Sequence, residues 1–247
     1  EILFALMAFD YLVIVDFQVT SGATVEEKNE QEIWEFPWVV FDVASKQVVD
    51  EKQVYVKPTL HPELATDPSV QSAGTLQQSV QEFNDYLYRS FLANNKDFCL
   101  CTFGETPLKR WLRVDAKEKG VKLGAHYTKF IDALAEFQRV YPRAGPVSSL
   151  GKMAEHIDVV VEPSVEGGLL FCRAMAQCLT KMVEDGATFG HAITIPDDYD
   201  PLAAPASFDD KEEDGSRGRG DRESSWERGR DRGRGRERSR ERSRSRD

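Results

Sequence analysis

The hydrophobic pattern divides this chain into a patterned front part and an end without apolar periodicity. Short runs rich in Val, Ile, Leu and aromatic residues, typical of buried strands, cover residues 11–16, 33–42, 48–58 and 97–103. Apolar residues at helical spacing cover residues 75–94, 107–120, 148–157 and 166–186. Residues 127–142 predict a helix or a helix-strand region, and the pattern stops near Pro196.

This order of elements predicts an α/β fold with a mixed sheet. Three successive strands form an antiparallel meander, in which Pro37 marks an edge or a bulge of the second strand and Pro58 ends the third. The helix and strand that follow predict a parallel crossover, with helices flanking the sheet. We expect one domain over residues 7–190, with residues 1–6 as an extension before Met7.

Charge separates the end of the chain from the domain. Residues 217–247 hold 13 Arg and 7 acidic residues, a net charge of +6, whereas the whole chain of 247 residues carries −10. Residues 1–216 therefore carry −16, which repels phosphate unless a groove is locally basic. Residues 191–216 read as an acidic, Pro-containing linker, and residues 217–247 as a disordered tail rich in Arg, Gly and Ser.

The cysteines and the hydropathy indicate the cellular compartment of the protein. The four cysteines lack zinc-site spacing, which favours buried free thiols in a reducing cytosol or nucleus. No apolar run is long enough to span a membrane, so we expect a nuclear or cytoplasmic protein without a membrane partner. The aromatic residues Trp34, Trp38 and Trp111 lie in apolar patterns, and core or edge packing is favoured over base stacking for them.

A carboxylate follows the first buried strand, in the stretch YLVIVDFQVTS. Asp16 ends the apolar run, and Gln18 stands two residues later, where a second acid would complete the opening motif of a two-metal nuclease. Other stretches of the chain also resemble nuclease sequences, among them EIWEFPWVVFD, CTFGETPLKRWL and EGGLLFCRAMAQCLTKMVEDG. Together they resemble the enhancer-of-RNAi and histone-mRNA 3′-exonuclease family of DEDDh (DnaQ-like) 3′–5′ exonucleases, over roughly residues 11–186. Glu35-Phe36-Pro37 is among the most specific pieces, although we assign it no chemistry.

The resemblance implies a ribonuclease-H-like fold and a site of four acids and a histidine. In that family the acids hold two Mg²⁺ ions and the histidine acts as general base. Only the first acid is kept here. The matched positions read Asp16, Gln18, Pro107, Glu166 and Leu170. Pro107 and Leu170 have no side-chain ligand atom, so the resemblance implies a vestigial site.

We therefore expect a catalytically inactive exonuclease-like module in RNA metabolism, without a cofactor, that serves as an RNA-binding or protein-interaction subunit. The alternative is an active 3′–5′ exoribonuclease with a rearranged site, in which Asp16, Glu105 and Glu166 would hold Mg²⁺ or Mn²⁺. A purely structural scaffold is the third interpretation.

The tail is the candidate contact for RNA. Arg side chains stack on bases and pair with phosphates, and disordered Arg-rich segments bind RNA with little sequence preference. Protein assembly through mixed charges, by association with similar tails, is the competing interpretation, and a purely solubilising tail is the third. The candidate RNA-binding residues are Arg217, Arg219, Arg228, Arg230, Arg232, Arg234, Arg236 and Arg238.

Overall fold

The computed structural model describes residues 8–20, 31–62, 67–161 and 168–202. All of them belong to one compact unit, residues 1–210, and a second unit, residues 211–247, contains none of them. Among the residues described, no helix is long and apolar enough to cross a membrane.

A mixed six-stranded sheet forms the centre, in the order β5-β4-β1-β6-β7-β8. A separate two-stranded sheet joins β2 to β3. The strands are β1 (Tyr11–Val15), β2 (Gln18–Val19), β3 (Ile33–Glu35), β4 (Trp38–Asp42), β5 (Gln47–Lys52), β6 (Phe98–Thr102), β7 (Lys129–Asp132) and β8 (Ile193–Thr194). The meander β1, β4, β5 is antiparallel and β6 is parallel to β1, as the element order predicts. Strand β7, which that order did not contain, is parallel to β6.

Helices cover both faces of this sheet. They are α1 (Pro68–Gln71), α2 (Leu76–Ser90), α3 (Leu112–Glu118), α4 (Ala133–Val140), α5 (Leu150–His156) and α6 (Gly168–Glu184). A π-helical turn, Pro107–Trp111, leads directly into α3. A capping box between Thr75 and Gln78 starts α2, and the Ser149 hydroxyl accepts a hydrogen bond from the Lys152 N–H to start α5.

Two apolar cores lie on opposite faces of the sheet because side chains alternate along each strand. Leu12 and Ile14 of β1 face α4, α5 and α6, whereas Val13 and Val15 face α2 and α3. Trp38 is buried in the second core, as predicted, and Trp111 packs against it. The cysteines are buried free thiols, which confirms that prediction.

The structure corrects two predicted strands. Residues 33–42 form β3 and β4 rather than one strand, because Phe36 and Pro37 separate them and the two halves pair with different partners. The third predicted strand ends at Lys52, and Tyr55 and Val56 beyond it form only isolated bridges. Residues 127–142, predicted as a helix or a helix-strand region, instead begin with strand β7, and α4 follows it directly.

Candidate functional site

The parallel strands β1, β6 and β7 end at the same edge of the sheet. Tyr11 to Ile14 of β1 run beside Phe98 to Cys101 of β6, and Leu100 to Thr102 run beside Phe130 to Asp132 of β7. The residues after β1 and β6 and the last residue of β7 therefore meet at this carboxyl edge. In open α/β sheets this edge is where ligands bind.

Asp16, the first residue after β1, is nearly enclosed, with 7% of its surface exposed. Its Oδ2 atom accepts a hydrogen bond from the Gly168 N–H at 3.0 Å and another from Gln18 Nε2 at 3.3 Å. Burial raises the pKa of Asp16 to about 7, the two hydrogen bonds oppose that rise, and the charge of Glu35 adds to it. The predicted pair Asp16 and Gln18 is thus in direct contact.

Glu35 is the site residue that sequence reasoning missed. It lies opposite Gln18 in the β2–β3 sheet, and its carboxylate accepts a hydrogen bond from Gln53 Nε2. A Cβ atom at Gly168 would lie only 2.8 Å from Glu35 Oε1, so the carboxylate rests against the start of α6. Burial raises the pKa of Glu35. In the sequence, only the Glu35-Phe36-Pro37 motif pointed to this residue. The single strand predicted over residues 33–42 gave no reason to expect Glu35 near Asp16.

The other positions matched by resemblance differ in their surroundings. Pro107 is buried as the first residue of the π-helical turn before α3. Leu170 is 53% exposed in the first turn of α6. Glu166 lies outside the residues that the structure describes. The roles assigned to these positions remain predictions.

The fallback metal ligand Glu105 is engaged elsewhere. Its carboxylate pairs with Lys109, one turn further along the chain. Its charge also raises the pKa of Asp132, which burial raises more strongly, and Asp132 Oδ1 accepts hydrogen bonds from the N–H groups of Gly104, Leu134 and Ala135. Because Glu166 is not described, the trio of Asp16, Glu105 and Glu166 stays a prediction.

The chemistry of the donors does not fit a pair of Mg²⁺ ions. Each ion requires several hard oxygen ligands in octahedral geometry. In residues 8–20, 31–62, 67–161 and 168–202, no three His, Cys, Asp or Glu side chains are grouped closely enough to hold a metal. The side chains of Pro107 and Leu170 are hydrocarbon and hold no ligand atom. Beside Leu170, the rings of Phe103 and Phe171 pack edge-to-face, with their centroids 5.8 Å apart. The Arg residues predicted to bind RNA all lie beyond residue 202, outside the described part of the chain.

Comparison with known proteins gives a consistent set of relatives, although no family model matches the chain. It is 24% identical over 191 residues to 3′–5′ exoribonuclease 1 of Rattus norvegicus, which covers 72% of this chain and 54% of that protein. The 3′–5′ exonuclease Snipper of Drosophila melanogaster is 24% identical over 208 residues, or 75% of this chain and 73% of that protein. The chain thus spans about half the length of the first of these relatives.

Solved structures share the fold. The nuclease domain of 3′hExo, a DEDDh family member bound to rAMP, superposes with a TM-score of 0.68 at 22% identity, over 74% of this chain and 96% of that one. A structure of 3′-end-specific recognition of a histone mRNA stem-loop by a 3′-exonuclease gives 0.67 at 21% identity, over 76% and 92%. Cell-death related nuclease 4 gives 0.65 at 25% identity, over 73% and 66%.

Proposed function

Given that its relatives and its neighbours in fold are 3′–5′ exonucleases of the DEDDh kind, as its motifs predict, we propose that this chain is an exonuclease-like module of RNA metabolism that no longer cleaves RNA. Its role is to bind RNA, or to hold a protein partner, as a non-catalytic subunit. The likeness supports the module and its connection to RNA. The proposed lack of catalysis is inferred from the side chains at the carboxyl edge of the sheet.

The bonding of Asp16 carries the proposal. Its Oδ2 atom already accepts hydrogen bonds from the Gln18 amide and the Gly168 N–H, so this carboxylate oxygen is bound within the protein. Gln18 supplies an amide where a two-metal site needs a second negative charge. Leu170 and Pro107 supply no ligand atom at all. A site with these donors binds Mg²⁺ poorly, because that ion gives up its water reluctantly.

RNA binding is the favoured role for the inactive module. One structural neighbour is a 3′-exonuclease in complex with a histone mRNA stem-loop. The tail of this chain adds a net charge of +6 over residues 217–247, which suits contact with phosphates. Attachment to a protein partner through the tail is the competing role, and both leave the carboxyl edge without catalysis.

An active exoribonuclease with a rearranged site is the second candidate, and Glu35 is the observation in its favour. Its carboxylate lies at the start of α6 and acts electrostatically on Asp16. Two acids in this position are fewer than a two-metal mechanism needs, unless Glu166 joins them.

A nuclease assay on single-stranded RNA with Mg²⁺ or Mn²⁺ tests the proposal. We expect the full chain to leave the RNA intact while an exoribonuclease relative shortens it under the same conditions. The Asp16→Asn/Glu35→Gln double variant is the matched control. RNA shortening that disappears in this variant would establish the active alternative, whereas shortening that persists would come from a contaminating nuclease.

Restoring one acid is a second arm of the same assay. We expect Gln18→Glu to have no activity, because Pro107 and Leu170 still leave the metals without ligands. The new carboxylate would also repel Asp16 and Glu35, so the variant should melt at a lower temperature at neutral pH. Detectable 3′ trimming by Gln18→Glu would mean that the site is placed wrongly.

A further inference from the structure

A small cleft lies away from Asp16, between α3, the segment after it and residues 199–201. Its volume is about 270 Å³, and Arg113, Lys117, Val121, Leu123, Tyr199 and Pro201 line it. Arg113 and Lys117 lie six and ten residues beyond Pro107, which begins the helical segment at the carboxyl edge. At ~1.5 Å per residue they are roughly 9 and 15 Å further along the helix. The cleft is therefore separate from the candidate active site.

Arg113 brings a positive charge to this cleft. Its Nε atom is buried and has no hydrogen-bond partner among the residues that the structure describes, and its Nη2 atom reaches the Tyr127 carbonyl oxygen only at 3.5 Å. Burial lowers the pKa of Arg113, and the charges of Tyr199 and Asp197 raise it.

The helical segment that holds Arg113 is basic within an acidic domain. Residues 107–122 contain six Lys or Arg and two acids. Two of these cations are used internally, since Lys109 pairs with Glu105 and Lys119 is buried between two acids. Arg113 and Lys117 are four residues apart and so share one side of the helix. Lys117 is exposed and, in the described parts of the chain, makes no ion pair.

The remaining walls suit a planar group. Tyr199 is partly buried against the core, and Val121, Leu123 and Pro201 give an apolar lining. Aromatic faces bind nucleobases by stacking, which tolerates any base. The cleft is slightly below the ~300 Å³ at which small-molecule sites begin, which fits one small unit rather than an extended ligand. Asp197, whose charge acts on Arg113, competes with an anion and keeps the affinity modest.

We propose that this cleft binds one nucleotide of single-stranded RNA, with the phosphate on Arg113 and Lys117 and the base against Tyr199. The inference rests on the proposed function, because it gives the non-catalytic module an RNA contact on its folded domain. It also divides the work with the tail: the tail supplies unspecific attraction, and the cleft seats one nucleotide in a fixed place.

Calorimetric titration of the full chain with uridine monophosphate tests the site, with uridine and inorganic phosphate as separate probes. We expect the monophosphate to bind more tightly than either part. Arg113→Ala/Lys117→Ala should weaken it by at least about ten-fold. Tyr199→Leu should weaken the monophosphate and leave inorganic phosphate unchanged. Equal binding of phosphate and monophosphate would reduce the cleft to an anion site and overturn the proposal.

Two controls keep the test decisive. Arg143→Ala/Lys152→Ala removes the same charge from exposed positions elsewhere and should leave binding unchanged. Lys117→Glu alters only an exposed side chain, so a loss of binding there cannot come from unfolding. If the affinity for the monophosphate is unchanged in both Arg113→Ala/Lys117→Ala and Lys117→Glu, the nucleotide site is overturned, even if the chain still binds RNA through its tail. Nuclease activity would instead overturn the proposed function and leave the titration result standing.

Discussion

Hydrogen bonds within the protein hold the Asp16 side chain in place. Its carboxylate is buried and receives the Gly168 N–H, so it fixes the start of α6 to the end of β1. A helix begins with free N–H groups, and a carboxylate there satisfies one of them and interacts favourably with the helix dipole. The Asp16 carboxylate thus has a role in the fold, at the junction of β1 and α6.

This role predicts an unusual dependence of stability on pH. The pKa of Asp16 is raised from 3.8 to about 7, so the folded state binds a proton that the unfolded state has already released. The free energy of unfolding should therefore fall between about pH 4 and about pH 7, by up to ~1.4 kcal/mol per pH unit, and level off above. Burial raises the pKa of Glu35 as well, which acts in the same direction.

Asp16→Asn should remove most of that slope. The amide keeps an acceptor oxygen for Gly168 without a buried charge, so at about pH 8 the variant should be more stable by roughly 1–3 kcal/mol. Denaturant unfolding at several pH values measures both quantities. Glu155→Gln, which changes an exposed carboxyl on α5, should leave the profile as it is. A less stable Asp16→Asn protein at about pH 8 would mean that the charge itself is needed.

At the scale of elements, the start of α6 depends on a glycine. Gly168 has φ +67°, and a Cβ atom there would lie 2.8 and 2.9 Å from the two Glu35 carboxylate oxygens. A side chain at this position is therefore strained twice, once in the backbone and once by contact. The close approach joins the β2–β3 sheet to α6, although Glu35 and Gly168 are far apart in the sequence.

Gly168→Ala should be costly for both reasons. The left-handed backbone costs about 1–2 kcal/mol for a residue with a Cβ atom, and the contact adds about 1–3 kcal/mol. Gly145→Ala is the matched control, because Gly145 has φ +71° and nothing within 4 Å of its added Cβ. Denaturant unfolding should show a larger loss for Gly168→Ala. In a Glu35→Ala background the two losses should become equal, and a persistent difference would contradict the contact.

A buried ion cluster ties α3 to two other segments. Lys119 Nζ lies 2.7 Å from Glu32 Oε1 and 2.8 Å from Asp115 Oδ1. Glu32 also accepts the N–H groups of Thr59, Leu60 and His61. Burial alone would raise the pKa of Glu32, but Lys119 and these N–H groups together lower it.

Lys119→Met should therefore lower the free energy of unfolding by about 3–5 kcal/mol, because it leaves buried acids without a counter-charge. Replacing the acids as well, in Lys119→Met/Glu32→Gln/Asp115→Asn, should recover part of that loss. Lys122→Met, at an exposed position on the same segment, should change stability by about 0.5 kcal/mol or less. Thermal unfolding of the three variants gives the comparison, and a mild Lys119→Met would show that the acids become protonated or hydrated instead.

The elements were predictable where local pattern and tertiary pairing agree. Strand β1 and helices α2 and α6 follow their apolar spacing closely. Pairing decides the rest. Pro37 has no N–H for the ladder, so β3 leaves the main sheet and pairs with β2. That change of partner brings Glu35 opposite Gln18, which is why the residue pattern marked Asp16 and Gln18 but not Glu35.

At the scale of the whole molecule, the folded part of the chain and the part that attracts RNA carry opposite charge. Residues 1–216 carry −16 and the tail +6, and the structure describes a sheet with helices on both faces within the acidic part. A small basic cleft in an acidic domain can seat a nucleotide but draws in little RNA from solution. Long-range attraction must then come from the tail, whose 13 Arg residues are the largest local concentration of positive charge in the sequence.

Removing the tail should therefore abolish most RNA affinity. We expect a chain that ends at Asp210 to bind single-stranded RNA far more weakly than the full chain. For the full chain, the logarithm of affinity should fall linearly with the logarithm of salt concentration, with a slope of about −0.7 per phosphate neutralised. Replacing the tail Arg residues by Lys is the informative control, since it keeps the charge but removes the planar groups that stack on bases. Fluorescence anisotropy over a salt series measures all three proteins. If the Lys variant keeps the slope and loses affinity at every salt concentration, stacking contributes beside charge. Equal affinity with and without the tail would instead place the main RNA contact on the folded domain.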